Sequence, residues 1–113
     1  MKTTFLRLSL PLAVALALGT GVASAAGTPL GKWMKTNMGT ALAAEDFPTL
    51  KKNFDFLSTK QPSADYPDWA RFAKTGSAAA AKSDGAAAHA ACNACHDAYK
   101  HKYQKDFPST PFP

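Results

Sequence analysis

The chain has only two cysteines, Cys92 and Cys95, standing three residues apart in an alanine-rich stretch that reads as continuous helix. This spacing removes a common device for holding a small domain together. A disulfide here would close a very short loop and restrict the unfolded chain little, whereas a stapled fold needs distant partners. With 113 residues there is room for one domain with a thin core. The fold must therefore draw on helix packing and on something bound to it.

The beginning of the sequence reads as an export signal. Lys2 and Arg7 supply a basic start, Leu8 to Leu18 is apolar apart from Ser9 and Pro11, and Ala23-Ser24-Ala25 is a small-residue cleavage site. The apolar run is shorter than a spanning helix and ends without a charged stop. Residues 1–25 are expected to be a signal peptide and residues 26–113 a periplasmic domain with no stable membrane span after cleavage. Cleavage leaves eleven of the 13 basic residues against 8 acids, a net charge of about +3, with Arg71 the only remaining arginine. That composition gives no support for nucleic-acid binding. A mild positive surface suits the steering of an acidic protein partner.

Residues 26–113 show helical periodicity and no alternating strand pattern. Leu30, Trp33, Met34, Met38, Ala41 and Leu42 mark a first helix over about 29–44, with Thr28 as N-cap and Pro29 in the first turn. Phe47, Leu50, Phe54 and Leu57 share one face of a second, capped by Asp46. A polar loop spans 58–65. A third helix is expected over 66–82, with Pro67 and Asp68 in its first turn, and a fourth from the Asp84 cap to about Lys105, before a proline-punctuated tail from about 106. Four amphipathic helices with short connections form an all-α, antiparallel four-helix bundle. Trp33, Trp69, Phe47, Phe54 and Phe72 are its expected aromatic core.

Cys92-Asn93-Ala94-Cys95-His96 is the C-x-x-C-H sequence of c-type haem attachment. On a helix the three side chains at i, i+3 and i+4 share a face. Two thiols can then add to the haem vinyl groups as thioethers while His96 offers a ring nitrogen to the iron. A redox dithiol would want a β-α-β setting, which the pattern lacks. A structural zinc site would want a closed set of four ligands, and neither His89 nor His101 completes a finger spacing. One covalent haem c is expected, attached through Cys92 and Cys95, with His96 as the proximal iron ligand.

Four helices carrying "CNACHDAYKHKY" on the last and "WMKTNMG" on the first resemble the class II cytochromes c, the high-spin cytochromes c-prime and their low-spin, methionine-ligated relatives. Lys100, one turn after His96, stands where that group usually has Arg or Lys. The chain is shorter than a usual cytochrome c-prime. The resemblance implies that the sixth iron position decides function: an apolar distal face admits nitric oxide or carbon monoxide, whereas a methionine from the first helix makes an electron carrier.

His89 and His101 share a helix with His96, lie along the proximal side, and are poor sixth ligands. Residues 97–113 contain no methionine, which leaves Met34 and Met38, four apart on one face of the first helix. Met34, more central to the apolar face beside Trp33, is the first choice for the distal ligand, and Met38 the second. Tyr99, Tyr103 and Lys100 are expected around the proximal side, near the haem edge or a propionate. The leading expectation is a periplasmic mono-haem one-electron carrier serving redox partner proteins, with a homodimer allowed. The alternative is a gas-binding protein. An enzyme is not expected, because among polar groups the first helix offers only Thr36, Asn37 and lysines for distal catalysis.

Overall fold

The computed structural model describes residues 27–113; the expected signal peptide falls outside them. Among the described residues there is no strand, and no helix is long and apolar enough to cross a membrane. The first helix is composite: α1 (Pro29–Trp33), a π-helical segment (Met34–Gly39) and α2 (Thr40–Ala43) follow one another without a break. Then come α3 (Phe47–Ser58), α4 (Trp69–Ala81) and α5 (Gly85–Asp106).

The helix starts follow from their capping chemistry. Gly31 donates its N–H to Thr28 Oγ1 at 2.9 Å, Thr49 to Asp46 Oδ1 at 3.2 Å, and Ala87 to Asp84 Oδ1 at 3.0 Å. Each satisfies a backbone donor that the first helical turn leaves free. Two helices stop at left-handed residues, Glu45 (φ 53°) and Ser83 (φ 52°). Beyond them, Asp46 N–H reaches back to Ala41 O at 2.9 Å and Asp84 N–H to Ala79 O at 3.0 Å, the six-residue closure of a Schellman turn. One aspartate thus ends a helix with its N–H and begins the next with its carboxylate.

The helices alternate in direction. Asp55 of α3 accepts a short hydrogen bond from the Ser77 hydroxyl of α4, and Trp69, at the other end of α4, donates its indole N–H to Leu57 O at 2.8 Å. The buried Phe54 ring of α3 lies directly against Gly76 of α4. The core runs through all four helices, from Leu30, Met38 and Ala41 through Leu50, Phe54 and Leu57 to Trp69, Ala88, Tyr99 and Tyr103. Trp33, Phe47 and Phe72 are half-buried against it. On α4 and α5 much of the core is alanine, which gives close approach and little apolar bulk.

Two elements differ from the periodic reading. α4 starts at Trp69 rather than at residue 66. Tyr66 is instead turned wholly inward, at 0 % exposure, where its hydroxyl donates to Asp106 Oδ2 at 2.9 Å and its ring meets Tyr99, Tyr103 and Phe107. The Asp68 N–H is taken by the Tyr99 hydroxyl at 2.8 Å, so residues 66–68 form a tether to α5 and not a helical turn. The second difference is the π segment, a form that occurs mostly as single turns and frequently at functional sites. The tail also folds back: the Phe112 ring lies 5.2 Å from Trp33 and 6.0 Å from Phe56.

Candidate functional site

α5 exposes one stripe to the core, made of Ala88, Ala91, Tyr99 and Tyr103. Cys92 and Cys95 sit inside that stripe, half-buried and packed against the core. His96, one residue further round the helix, is exposed at the flank. The three residues thus line one seam of the bundle, as their i, i+3, i+4 spacing requires. Asp97, Lys100, His89 and His101 are exposed. Tyr99 and Tyr103 belong to the aromatic core and not to the rim, since Tyr99 stacks on Trp69 at 6.2 Å.

The electrostatics of the seam bear on its chemistry. Burial raises the pKa of the Cys92 thiol. Burial, with Cys92 beside it, pushes Cys95 up to about 11. Redox-active dithiols run the other way, with a thiol pKa lowered by nearby positive charge or a helix N-terminus. Both cysteines are free thiols, protonated at neutral pH. His96 is shifted downward, by partial burial and then by Lys100, with Asp97 opposing. Its imidazole is therefore neutral near pH 7, the form that ligates a metal. Two protonated thiols within reach of solvent and a neutral imidazole beside them are the donor set that covalent haem attachment uses, and the residues fit that group. Among the described residues no three His, Cys, Asp or Glu side chains converge to hold an ion. A proximal haem ligand is a single nitrogen and needs no such convergence.

The packing also sets heights along the bundle. A Cβ on Gly85, at the start of α5, would meet the Phe47 ring of α3 at 3.5 Å, so these two helices start level. Both run antiparallel to α4, hence parallel to each other. Asn53 and Ala91 each lie six residues further on, about 9 Å at the helical rise of 1.5 Å per residue. The Asn53 side-chain amide donates to Asn37 O at 3.0 Å, which brings Asn37 of the first helix to the same level. That helix runs the opposite way, with Trp33 against Phe56 (5.6 Å) and Thr40–Ala43 against α5. Met34 consequently stands level with Ala94, within about two residues' rise of His96. Met38 stands level with Ala90.

The two methionines differ in burial as well. Met38 is a core residue at 6 % exposure, whereas Met34 is half-buried at the core's edge. Periodicity alone makes Met34 the more central. Both methionines stand in the widened turn, where the 3.6-residue period of a helical wheel no longer sets their faces.

Two clefts lie elsewhere. One, of about 290 Å³, opens between the α3–α4 connection and the tail, lined by Trp69, Tyr103, Phe107 and Phe112 among others; the second, of about 150 Å³, flanks Thr36, Thr40 and Thr49. Cys92, Cys95 and His96 line neither of the two. Comparison of the chain with family models, with curated proteins and with solved structures finds no match.

Sequence reasoning missed the Asn53–Asn37 hydrogen bond and the inward turn of Tyr66. A signal was present for the asparagines, since two amides on otherwise amphipathic helices occupy inward positions where a partner is required.

Proposed function

We propose that the chain is an exported mono-haem c-type cytochrome of the class II kind, acting as a one-electron carrier. Cys92 and Cys95 would hold haem c covalently, His96 would be the proximal ligand, and Met34 the distal one. The observation that carries the reading is the shared seam: two half-buried thiols and an imidazole on one face of α5, with Met34 near the same height on the first helix, whose α2 portion packs on α5. Bound there, the haem supplies the one-electron couple. The residues of the chain supply the rest. The thiols fix the group's position, the alanines of α5 allow it to lie close to the helix, and the apolar first helix excludes water from the far side. A thioether opposite a histidine favours the reduced state and a high potential. Lysines along α5, Lys100 and Lys105 foremost, give an acidic redox partner a positive surface to approach.

The gas-binding alternative draws on one observation. Met38 is committed to the core and Met34 is only half-buried, so a Met34 side chain turned outward would leave an apolar distal face. Absorption spectra of the haem-loaded protein decide between them. A low-spin ferric spectrum with the weak long-wavelength band of methionine ligation, and a reduced form that ignores carbon monoxide, is expected. Met34→Ala should abolish the band and admit carbon monoxide, whereas Met38→Ala should lower stability with the band retained. A high-spin wild-type spectrum with ready carbon monoxide binding would overturn the electron-carrier reading in favour of the gas binder.

A further inference from the structure

The π segment Met34–Gly39 requires an explanation, because a continuous α-helix would make better hydrogen bonds over the same residues. Glycine and proline do not provide it. Gly39 has ordinary helical angles (φ −62°, ψ −42°), and a Cβ on it would have nothing nearer than Met34 O at 3.9 Å. The segment holds no proline. What distinguishes it is a set of side-chain donors aimed at its carbonyls and at that of Trp33 just before it. Asn37 Nδ2 donates to Trp33 O at 3.0 Å, the Thr40 hydroxyl to Lys35 O at 3.2 Å, and Asn53 Nδ2 of α3 to Asn37 O at 3.0 Å. The first two are local and travel with the helix. Only the third comes from another element, sixteen residues away in sequence.

We infer that Asn53 is a positioning residue for the distal ligand: by bonding Asn37 O it holds the widened turn in place and so sets the rotation and height at which Met34 is presented. The inference rests on the proposed thioether ligation. The geometry makes the effect large. If the turn lost its extra residue and became α-helical, everything upstream would rotate by about 100° and shift by about 1.5 Å relative to α2. Thr40–Ala43 are held by both α3 and α5, whereas the π segment packs chiefly on α3, beside Asn53, so the displacement would fall on the end of the helix that carries Met34. Asn53 is half-buried beside that turn and makes no other hydrogen bond among those of the described residues that define the fold's helix-to-helix contacts.

The test compares haem-loaded wild type with Asn53→Asp, a near-isosteric change that replaces the donor by acceptors, and with Asn53→Gln, which keeps an amide donor. Asn53→Asp is expected to lose most of the methionine band, to lower the reduction potential and to bind carbon monoxide when reduced, while its haem stays covalently attached. Asn53→Gln is expected to recover part of the band. Thermal melting of each variant separates this from general unfolding, since a merely structural role would lower the melting temperature and leave the spectrum and potential of the folded protein unchanged. That last result would overturn the inference and leave the electron-carrier reading standing. A wild type lacking the band would remove both, and is distinguished by needing no variant at all.

Discussion

Gly76→Ala pits two known effects against each other at a site where the structure says which wins. Alanine in place of glycine inside a helix stabilises by about 1 kcal/mol through backbone propensity alone. At Gly76, however, the new methyl would overlap three carbons of the Phe54 ring, not the end of a flexible chain. That ring is buried between α3 and α4 at 4 % exposure. Overfilling a packed site costs about 1–3 kcal/mol. The net change is therefore a loss of about 1 kcal/mol, read as a fall of roughly 4–8 °C in melting temperature for a domain of this size. Far-ultraviolet circular dichroism on heating measures it. The cause is isolated in a Phe54→Leu background, where the clash is relieved and Gly76→Ala should become stabilising, with a coupling of at least about 1 kcal/mol between the two sites. A Gly76→Ala protein that melts higher than wild type would refute the packing argument.

Other consequences are as specific. Asp55 accepts from Lys51 and Ser77, which together hold its carboxyl below the ordinary 3.8. A depressed folded-state pKa contributes stability that is present above the unfolded value and lost as pH falls through the folded one. Acid titration of stability below about pH 4 should thus be shallower in Asp55→Asn than in wild type, by urea unfolding at stepped pH. Asp84→Ala removes the carboxylate that caps α5 at Ala87 N–H and should cost about 1 kcal/mol at neutral pH. Ser83→Gly relieves a left-handed residue (φ 52°) and should stabilise by about 0.5–1 kcal/mol in the same unfolding assay, glycine's extra chain entropy offsetting part of the gain.

What could be read in the sequence is what is decided locally. Thr28, Asp46 and Asp84 cap their helices within three residues of themselves, so helix starts followed from residue type and spacing. The C-x-x-C-H run is also local: one helix face brings Cys92, Cys95 and His96 together whatever the rest of the chain does. Three features escaped because their partners are distant. Tyr66 leaves the helix it would otherwise begin for Asp106, forty residues on. Phe112 returns from a tail with no periodicity to lie between Trp33 and Phe56. The π turn depends on a donor from α3 that no pattern within 34–39 announces. The different depths of Met34 and Met38 are likewise a property of the folded chain, because both stand in that widened turn.

The central claim is covalent haem at Cys92 and Cys95, and intact-mass measurement of the protein made in a bacterium with c-type cytochrome maturation tests it most directly. The account predicts a chain heavier by one haem after denaturation, with neither thiol open to alkylation and the haem carried on the peptide that contains Cys92 and Cys95. It predicts loss of that mass in the Cys92→Ala, Cys95→Ala double variant. A denatured chain at its bare peptide mass, with both thiols alkylated, would contradict it.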